Sequence, residues 1–113
     1  MLPQIVVETA SRLIDMLSRG QYGAVIAECS ESRLTADDLR QVMKDYGRTF
    51  VSPPAEVIEN INAIDVNNRP SPTWHVRMPM WTTEEGRSDL ELEFTISLTS
   101  NGAVIELEDL HVL

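Results

Sequence analysis

Apolar and polar residues alternate between residues 74 and 98 in a way that predicts a β-hairpin. From residue 90 to 98 every second residue is apolar, and the residues between them are acidic or carry a hydroxyl group. From residue 74 to 80 apolar residues again occupy every second position. Successive side chains of a strand point to opposite faces, so each segment has one face suited to a core. The polar segment from Glu84 to Gly86 is the expected turn, with glycine where a positive φ is needed.

Upstream of residue 50 the apolar residues recur at intervals of three and four, which predicts helices. The first helix is expected to start at Pro3 and end near Gly20, the second to run from Tyr22 to Cys29, and the third from Thr35 to Gly47. Thr35 followed by Asp38 is typical of a capping box at a helix start. Gly20 and Gly47 are suited to helix ends.

The sequence between the helices and the hairpin does not predict one type of secondary structure throughout. Residues 50–54 contain two prolines and are predicted to be a connector, while residues 55–60 fit either one more helical turn or a strand lead-in. Residues 61–66 are predicted as the first strand, and a loop rich in Asn, Pro and Ser follows. Pro79 has no N–H for a ladder, so its strand should be an edge or should be bulged there.

The end of the chain predicts a second hairpin that contains a bulge. Asn101 and Gly102 form the pair typical of a two-residue type I′ turn, which would set Leu98 opposite Ile105. An unbroken ladder from that turn would set Asp109 opposite Phe94, and the apolar residues change parity after residue 107. One extra residue between 105 and 109 repairs both faults, so we predict a β-bulge there.

These elements predict one α+β domain spanning residues 1–113. Helices within about 3–47 are expected to pack on one face of a four-stranded, mostly antiparallel curved sheet formed by about 61–113. Element order and length are similar to the cystatin-like cone of nuclear-transport-factor-like domains. That likeness concerns the fold, which hosts many functions.

The charge of the chain narrows the classes of partner. The formal net charge is −9, with 9 basic and 18 acidic residues. Such a balance disfavours nucleic acid and anionic membranes, which reward clustered Lys and Arg, and it permits a basic protein partner. A single cysteine excludes an internal disulfide. Together with the lack of a signal peptide or a long apolar run, this predicts a cytoplasmic protein. Cofactor motifs are lacking, so we predict no cofactor.

The run Trp-Thr-Thr-Glu-Glu-Gly-Arg-Ser-Asp-Leu at residues 81–90 resembles the signature of a small bacterial domain family of unknown function. The segments Tyr-Gly-Arg-Thr at 46–49, Pro-Pro at 53–54 and Asp-Leu-His-Val at 109–112 are similar to that family as well. The resemblance covers roughly the C-terminal two-thirds of the chain and implies no activity. Size, acidity and layout also resemble those of immunity proteins that neutralise secreted toxins.

Two groups of residues are candidate partner-binding sites. The hairpin tip offers Trp81, Glu84, Glu85, Arg87 and Asp89, and Trp and Arg are enriched at interaction hot spots. The structural alternative is that Trp81 packs on a neighbour while Arg87 pairs with Glu85 or Asp89.

The second candidate is a carboxylate stripe on the polar sheet face. Glu91, Glu93, Glu106 and Glu108 are expected to share that face with Asp89, where they would meet a basic partner. The alternative is a solvated face that keeps the sheet soluble. We predict no metal site, because hard cations use convergent oxygens from tight loops and not a flat strand face.

His75 and His111 are the only histidines, and neither has a second His or Cys at zinc-ligand spacing. His75 is a candidate general base inside a cone-shaped pocket, with Asp65 or Asp109 as its orienting group. Cys29 lies on an apolar helical stripe and is expected to be a buried, unreactive thiol.

These features favour a non-enzymatic interaction protein, most concretely an immunity protein for a basic bacterial toxin domain. The alternative is a small-molecule-binding protein or acid–base enzyme whose pocket lies between the first helix and the concave sheet.

Overall fold

A computed structural model describes residues 2–113 and shows an α+β fold. The helices are α1 Gln4–Ser18, α2 Tyr22–Glu28, α3 Ala36–Tyr46 and α4 Ala55–Glu59. The strands are β1 Glu31–Ser32, β2 Phe50–Val51, β3 Asn62–Asp65, β4 Thr73–Thr82, β5 Gly86–Thr99 and β6 Gly102–Val112. They form one sheet in the order β1-β6-β5-β4-β2, and β3 also pairs with β4.

Most helix boundaries follow the predicted capping residues, but the C-cap of α1 is Arg19, one residue before the predicted Gly20. Pro3 is the N-cap of α1, and the capping box of α3 is confirmed. Asp38 N donates to Thr35 Oγ1 over 3.1 Å, and Thr35 N donates to Asp38 Oδ2 over 2.9 Å. Gly47 ends α3 with a φ of 68°, a left-handed conformation that glycine adopts without a steric cost.

The prediction of four strands was wrong, because the sheet has six within residues 2–113. β1 interrupts the part of the chain that was predicted to be helical, and β2 lies in the predicted connector. Strands of two residues have no periodicity to detect and are specified by their partners. β1 pairs in parallel with β6, and the flanking amides of Ser30 and Arg33 donate to Ile105 O and Leu107 O over 2.8 and 3.0 Å.

The central hairpin of β4 and β5 is confirmed, including its irregularity at Pro79. Gly86 follows the turn with a φ of 72°. The β4–β5 register shifts between Pro79 and Trp81. On its other side β4 pairs with β3 at residues 74–77 and with β2 at 81–82, so Pro79 lies in the gap between those two short strands. The missing N–H of Pro79 therefore interrupts no pairing on that side.

The bulge in β6 is confirmed, but the turn before it was predicted one residue too late. Phe94 lies opposite Leu107, and Glu93 lies opposite Asp109, which leaves Glu108 as the extra residue. Thr99 pairs with Gly102, so the register differs by two residues from the predicted one. The physical reason is the turn type. Asn101 does not have the positive φ that a type I′ turn requires, and the left-handed position falls on Gly102, at 111°.

One core cluster joins the helices to the sheet. It combines the buried face of α1 with the one buried residue of α2, Val25, and with the apolar faces of α3, β4, β5 and β6. Leu13, Met78, Met80 and Phe94 are completely buried in it. Grooves lie elsewhere, for example one of about 450 Å³ on the outer side of α1 next to α4. The helices thus cover one sheet face. The opposite face is open except at one edge, where Glu56 and Val57 of α4 line a groove with Pro79.

Candidate functional site

The sheet face that points away from the helices carries most of the charged side chains of β4, β5 and β6. We call it the outer face and define it by His75, Arg77, Pro79, Trp81, Arg87, Asp89, Glu91, Glu93, Thr95, Glu106, Glu108, Asp109 and His111. The period-two pattern places these residues opposite the core positions. The bulge at Glu108 lets Asp109 and His111 share this face while Leu110 stays in the core. The predicted stripe of Glu91, Glu93, Glu106 and Glu108 therefore lies on one face.

The carboxylates at the centre of the outer face are paired. Glu91 is only 8% exposed, and its Oε1 accepts a hydrogen bond from Arg77 Nε over 2.9 Å. The Nη2 atom of Arg77 also lies 2.9 Å from this oxygen. Glu93 Oε1 lies 3.8 Å from Arg77 Nε. A buried carboxylate needs such a counter-ion because desolvation of its charge is costly.

Two histidines flank Glu93 from neighbouring strands. His75 Nε2 lies 3.1 Å from Glu93 Oε2, and His75 Nδ1 lies 3.2 Å from Thr95 Oγ1. His111 Nε2 lies 3.5 Å from Glu93 Oε1. His75 was predicted to face a cone-shaped pocket with Asp65 or Asp109 beside it, and that prediction was wrong. Odd-numbered residues of β4 point to the outer face, so Glu93 is the carboxylate that His75 meets.

Glu84 and Glu85 of the hairpin tip are held by the end of α3 and the segment that follows it. Glu84 accepts hydrogen bonds from Thr49 N over 2.9 Å and from Thr49 Oγ1 over 2.8 Å. Glu85 accepts from Tyr46 Oη over 2.7 Å and from Arg48 Nε over 3.1 Å. Both carboxylates thus fix the tip against the rest of the fold, a role that the alternating pattern does not reveal.

Three other residues of the tip remain without such partners. Trp81 is partly buried and lies over Gly86, where an added Cβ atom would be 3.7 Å from the indole ring. Arg87 is the strand partner of Trp81 and is exposed. Within residues 2–113 it forms no ion pair. Glu85, which the structural alternative offered as its partner, pairs with Arg48 instead. The Asp89 side chain is also exposed, while its backbone N–H donates to Tyr46 Oη over 3.1 Å.

Acidification should weaken the tether at Glu84. The hydrogen bonds from Thr49 lower the pKa of Glu84 below its usual value of 4.5, first through the backbone amide and then through the hydroxyl. A carboxyl with a depressed folded-state pKa stabilises the fold above its unfolded pKa, and this contribution disappears as the pH falls through the folded value. We expect Glu84→Gln to be less stable than wild type at pH 7. The difference should narrow below about pH 4 in urea denaturation curves.

Glu59→Gln is the matched control for this experiment, because Glu59 is an exposed carboxylate that forms no ion pair within residues 2–113. Its stability should follow that of wild type at each pH. A pH-independent difference between Glu84→Gln and wild type would contradict the tether.

Cys29 is half-buried rather than fully buried, and its thiol is unreactive at neutral pH. Burial, followed by the nearby charge of Glu28, raises the pKa of Cys29 to about 11. Since the thiolate is the reactive form of cysteine, nucleophilic chemistry is disfavoured there. The raised pKa agrees with the predicted unreactive thiol, whereas the predicted burial is only partial.

Sequence reasoning missed Arg77 and the pairing of His111. Arg77 occupies a polar position in the β4 alternation, directly opposite Glu93, so the hairpin register could have predicted the contact. His111 meets Glu91 and Glu93 only after the bulge is placed at Glu108. The register therefore had to be correct before this cluster became visible.

The fold and the outer face define a class: an α+β protein with an open, charged sheet surface. A family model described as Domain of unknown function (DUF7668) matches residues 14–113, and the chain belongs to that family. This confirms the predicted membership of a family of unknown function. No curated protein and no solved structure matches the chain. None of the helices in residues 2–113 combines the length and apolarity needed to cross a membrane.

Proposed function

We propose that this protein is a non-enzymatic interaction module that binds a basic protein partner through its outer face. Most concretely, we propose a cytoplasmic immunity protein that binds and neutralises a bacterial toxin domain. The observation that carries the proposal is the outer face itself, a charged surface of three long strands. Within residues 2–113, α4 borders this surface at one edge, where Glu56 and Val57 line a groove with Arg77. We also propose that the sheet is curved as in the cone of nuclear-transport-factor-like domains. This likeness concerns the fold and not the binding of a partner.

Charge complementarity supports a basic partner. Carboxylates outnumber guanidinium groups on the outer face and on the adjoining strand β1, where Glu31 lies beside Glu106. The chain as a whole, including this face, has a formal net charge of −9. Toxic nucleases are basic around their active sites because they bind polyanions. An acidic partner would associate with such a domain quickly and would compete with nucleic acid for the same surface.

The ion pairs within the outer face make it a rigid surface for a partner to bind. Glu91 and Glu93 are held by Arg77 and the two histidines before any partner arrives. Side chains that are already fixed lose less conformational entropy on association than mobile ones do. The partly exposed Glu106 and the exposed Asp89 then supply the charges that attract a partner.

Trp81 and Arg87 are the proposed anchors at one end of this surface. They are strand partners on the outer face, and Arg87 has no competing ion pair within the described chain. Tryptophan and arginine are the residue types most enriched at hot spots. Glu84 and Glu85 contribute indirectly in this proposal, because they hold the hairpin tip in place.

The alternative of an acid–base enzyme receives less support. It requires a pocket between α1 and the sheet, and that space contains the completely buried side chains of Leu13, Met78, Met80 and Phe94. His75, its proposed general base, lies on the open outer face, where water is not excluded from a reaction.

Kinetics of binding to the partner test the proposal. A toxin domain identified by affinity capture from the native host would be produced in pure form and measured by biolayer interferometry. Trp81→Ala should lose about 2 kcal/mol of binding free energy, mainly as faster dissociation. Glu106→Lys combined with Asp89→Lys should slow association several-fold, roughly as expected for lost electrostatic steering, and the effect should shrink at high salt.

The matched control reverses two exposed carboxylates on the helices, Glu8→Lys with Glu59→Lys, which gives the same net charge. This variant should keep most of the wild-type association rate. If both double variants slow association equally, the association rate depends on the net charge of the protein and not on the outer face. If Trp81→Ala and the outer-face variant bind like wild type, the proposed surface is wrong.

A further inference from the structure

Three side chains of the outer face bring metal-binding atoms together. His111, Glu91 and Glu93 each offer one ligand atom, and these atoms lie within 4.8 Å of one another. His111 Nε2 is 4.0 Å from Glu91 Oε1 and 3.5 Å from Glu93 Oε1. The residues come from the neighbouring strands β5 and β6, so their distance along the sequence gave no sign of a site.

Each of two ligands has a partner on its far side. The Nδ1 atom of His111 is buried and lies 3.1 Å from Asp109 Oδ2, although the two atoms are not aligned for a hydrogen bond. The second oxygen of Glu93 meets His75 Nε2 over 3.1 Å. A carboxylate behind the free nitrogen of a ligating histidine is the common arrangement at zinc sites, because it orients the ring and raises its basicity. A small rotation of the imidazole ring would align this pair, and Asp109 would then hold His111 Nε2 towards the two glutamates.

We propose that His111 Nε2, Glu91 Oε1 and Glu93 Oε1 bind a divalent transition-metal ion such as Zn²⁺, with water as a fourth ligand. One imidazole and two carboxylates suit zinc, whereas Mg²⁺ and Ca²⁺ favour oxygen ligands alone. Tetrahedral ligands about 2.0–2.2 Å from zinc stand roughly 3.3–3.5 Å apart. The widest separation in the cluster, at most 4.8 Å, must therefore shrink by up to about 1.4 Å, which rotations of the glutamate side chains supply.

Arg77 is the competitor for this position. Its guanidinium group lies 2.9 Å from the proposed ligand atom of Glu91, and its side chain is 42% exposed. A long, partly exposed side chain can turn towards solvent when a divalent cation replaces it. Arg77 should therefore lower the affinity for metal while it stabilises the metal-free face. This inference is independent of the proposed partner.

Isothermal titration calorimetry with ZnCl₂ alone, on the full chain, tests the site. Wild type should bind one ion, and His111→Gln should lose that binding because the only nitrogen ligand is gone. Asp109→Asn should bind about tenfold more weakly through loss of the orienting group. Arg77→Gln should bind at least several-fold more tightly than wild type, a gain that general damage to the fold would not produce. Circular dichroism of each variant checks folding.

Glu106→Gln is the matched control for Glu91→Gln. Both remove one carboxylate from the outer face, but Glu106 lies outside the three-residue group. Loss of binding in Glu91→Gln with retention in Glu106→Gln supports the site. Equal weakening in both variants would show nonspecific attraction by the acidic face and would overturn the proposal. Wild-type chain that takes up no zinc, or a His111→Gln variant that binds as wild type does, would overturn it as well.

Discussion

Phe94→Ala is expected to lower the free energy of unfolding by about 3–5 kcal/mol. Phe94 is completely buried, and its strand neighbours are Val76 on one side and Leu107 on the other. Its truncation removes apolar contacts and leaves a cavity that the paired strands on both sides cannot collapse to fill. Since domains of this size are stable by only about 5–15 kcal/mol, a large part of the total stability would be lost. Urea denaturation followed by circular dichroism measures the change.

Phe50→Ala is the chemically identical control. Phe50 is partly buried at the edge of the core, where its ring lies 5.9 Å from that of Tyr46. Its removal should cost clearly less, because solvent already reaches part of the side chain. Equal losses for the two variants would mean that β5 is not the centre of the core.

Deletion of Glu106 should destabilise the protein by about 2–5 kcal/mol, whereas deletion of Glu108 should be tolerated. Removal of one residue from a regular ladder reverses the faces of the residues on one side, so Ile105 or Leu107 must leave the core. Glu108 is the extra residue of the bulge, and without it Leu107 and Asp109 keep their partners Phe94 and Glu93. The ion pair of Glu108 with the exposed Arg33 would be lost, worth about 0–1 kcal/mol.

Thermal denaturation of the two deletion variants distinguishes these outcomes. The comparison is matched because each variant lacks one glutamate and therefore one residue and one negative charge. A Glu108 deletion as unstable as the Glu106 deletion would contradict the bulge as placed. Amide nuclear Overhauser contacts between the strands in the tolerated variant should show the unbroken pairing of β5 with β6.

The long elements were predictable because each has a repeating apolar pattern. The 3.6-residue period identified α1 and α3, and the two-residue period identified β4 and β5. A conflict in parity predicted a bulge within residues 105–109 even though the assumed turn was wrong, because either register requires an extra residue before Leu110. β1 and β2 were not predictable, since two residues have no period and depend on a distant partner.

The candidate site was predictable in its position but not in its contacts. Alternation alone placed Glu91 and Glu93 on the polar face. Their pairing with Arg77 and His111 depends on the registers of two strand pairs, which no local pattern specifies. Likewise, the bonds of Glu84 to Thr49 connect residues that are far apart in sequence. The sequence therefore indicated a free acidic surface, whereas the structure shows a paired one at its centre.

The gap beside Pro79 has a consequence for the behaviour of this protein at high concentration. An unpaired strand edge is a template on which another chain can add a strand, and this is a common route to aggregation. β2 and β3 cover β4 on either side of Pro79, and residues of α4 line the groove of about 350 Å³ at the gap. Proline offers no N–H there to an incoming strand. β2 and β3 leave one stretch of the β4 edge unpaired, around Pro79. Pro79 and the neighbouring α4 together protect this stretch from pairing with another chain.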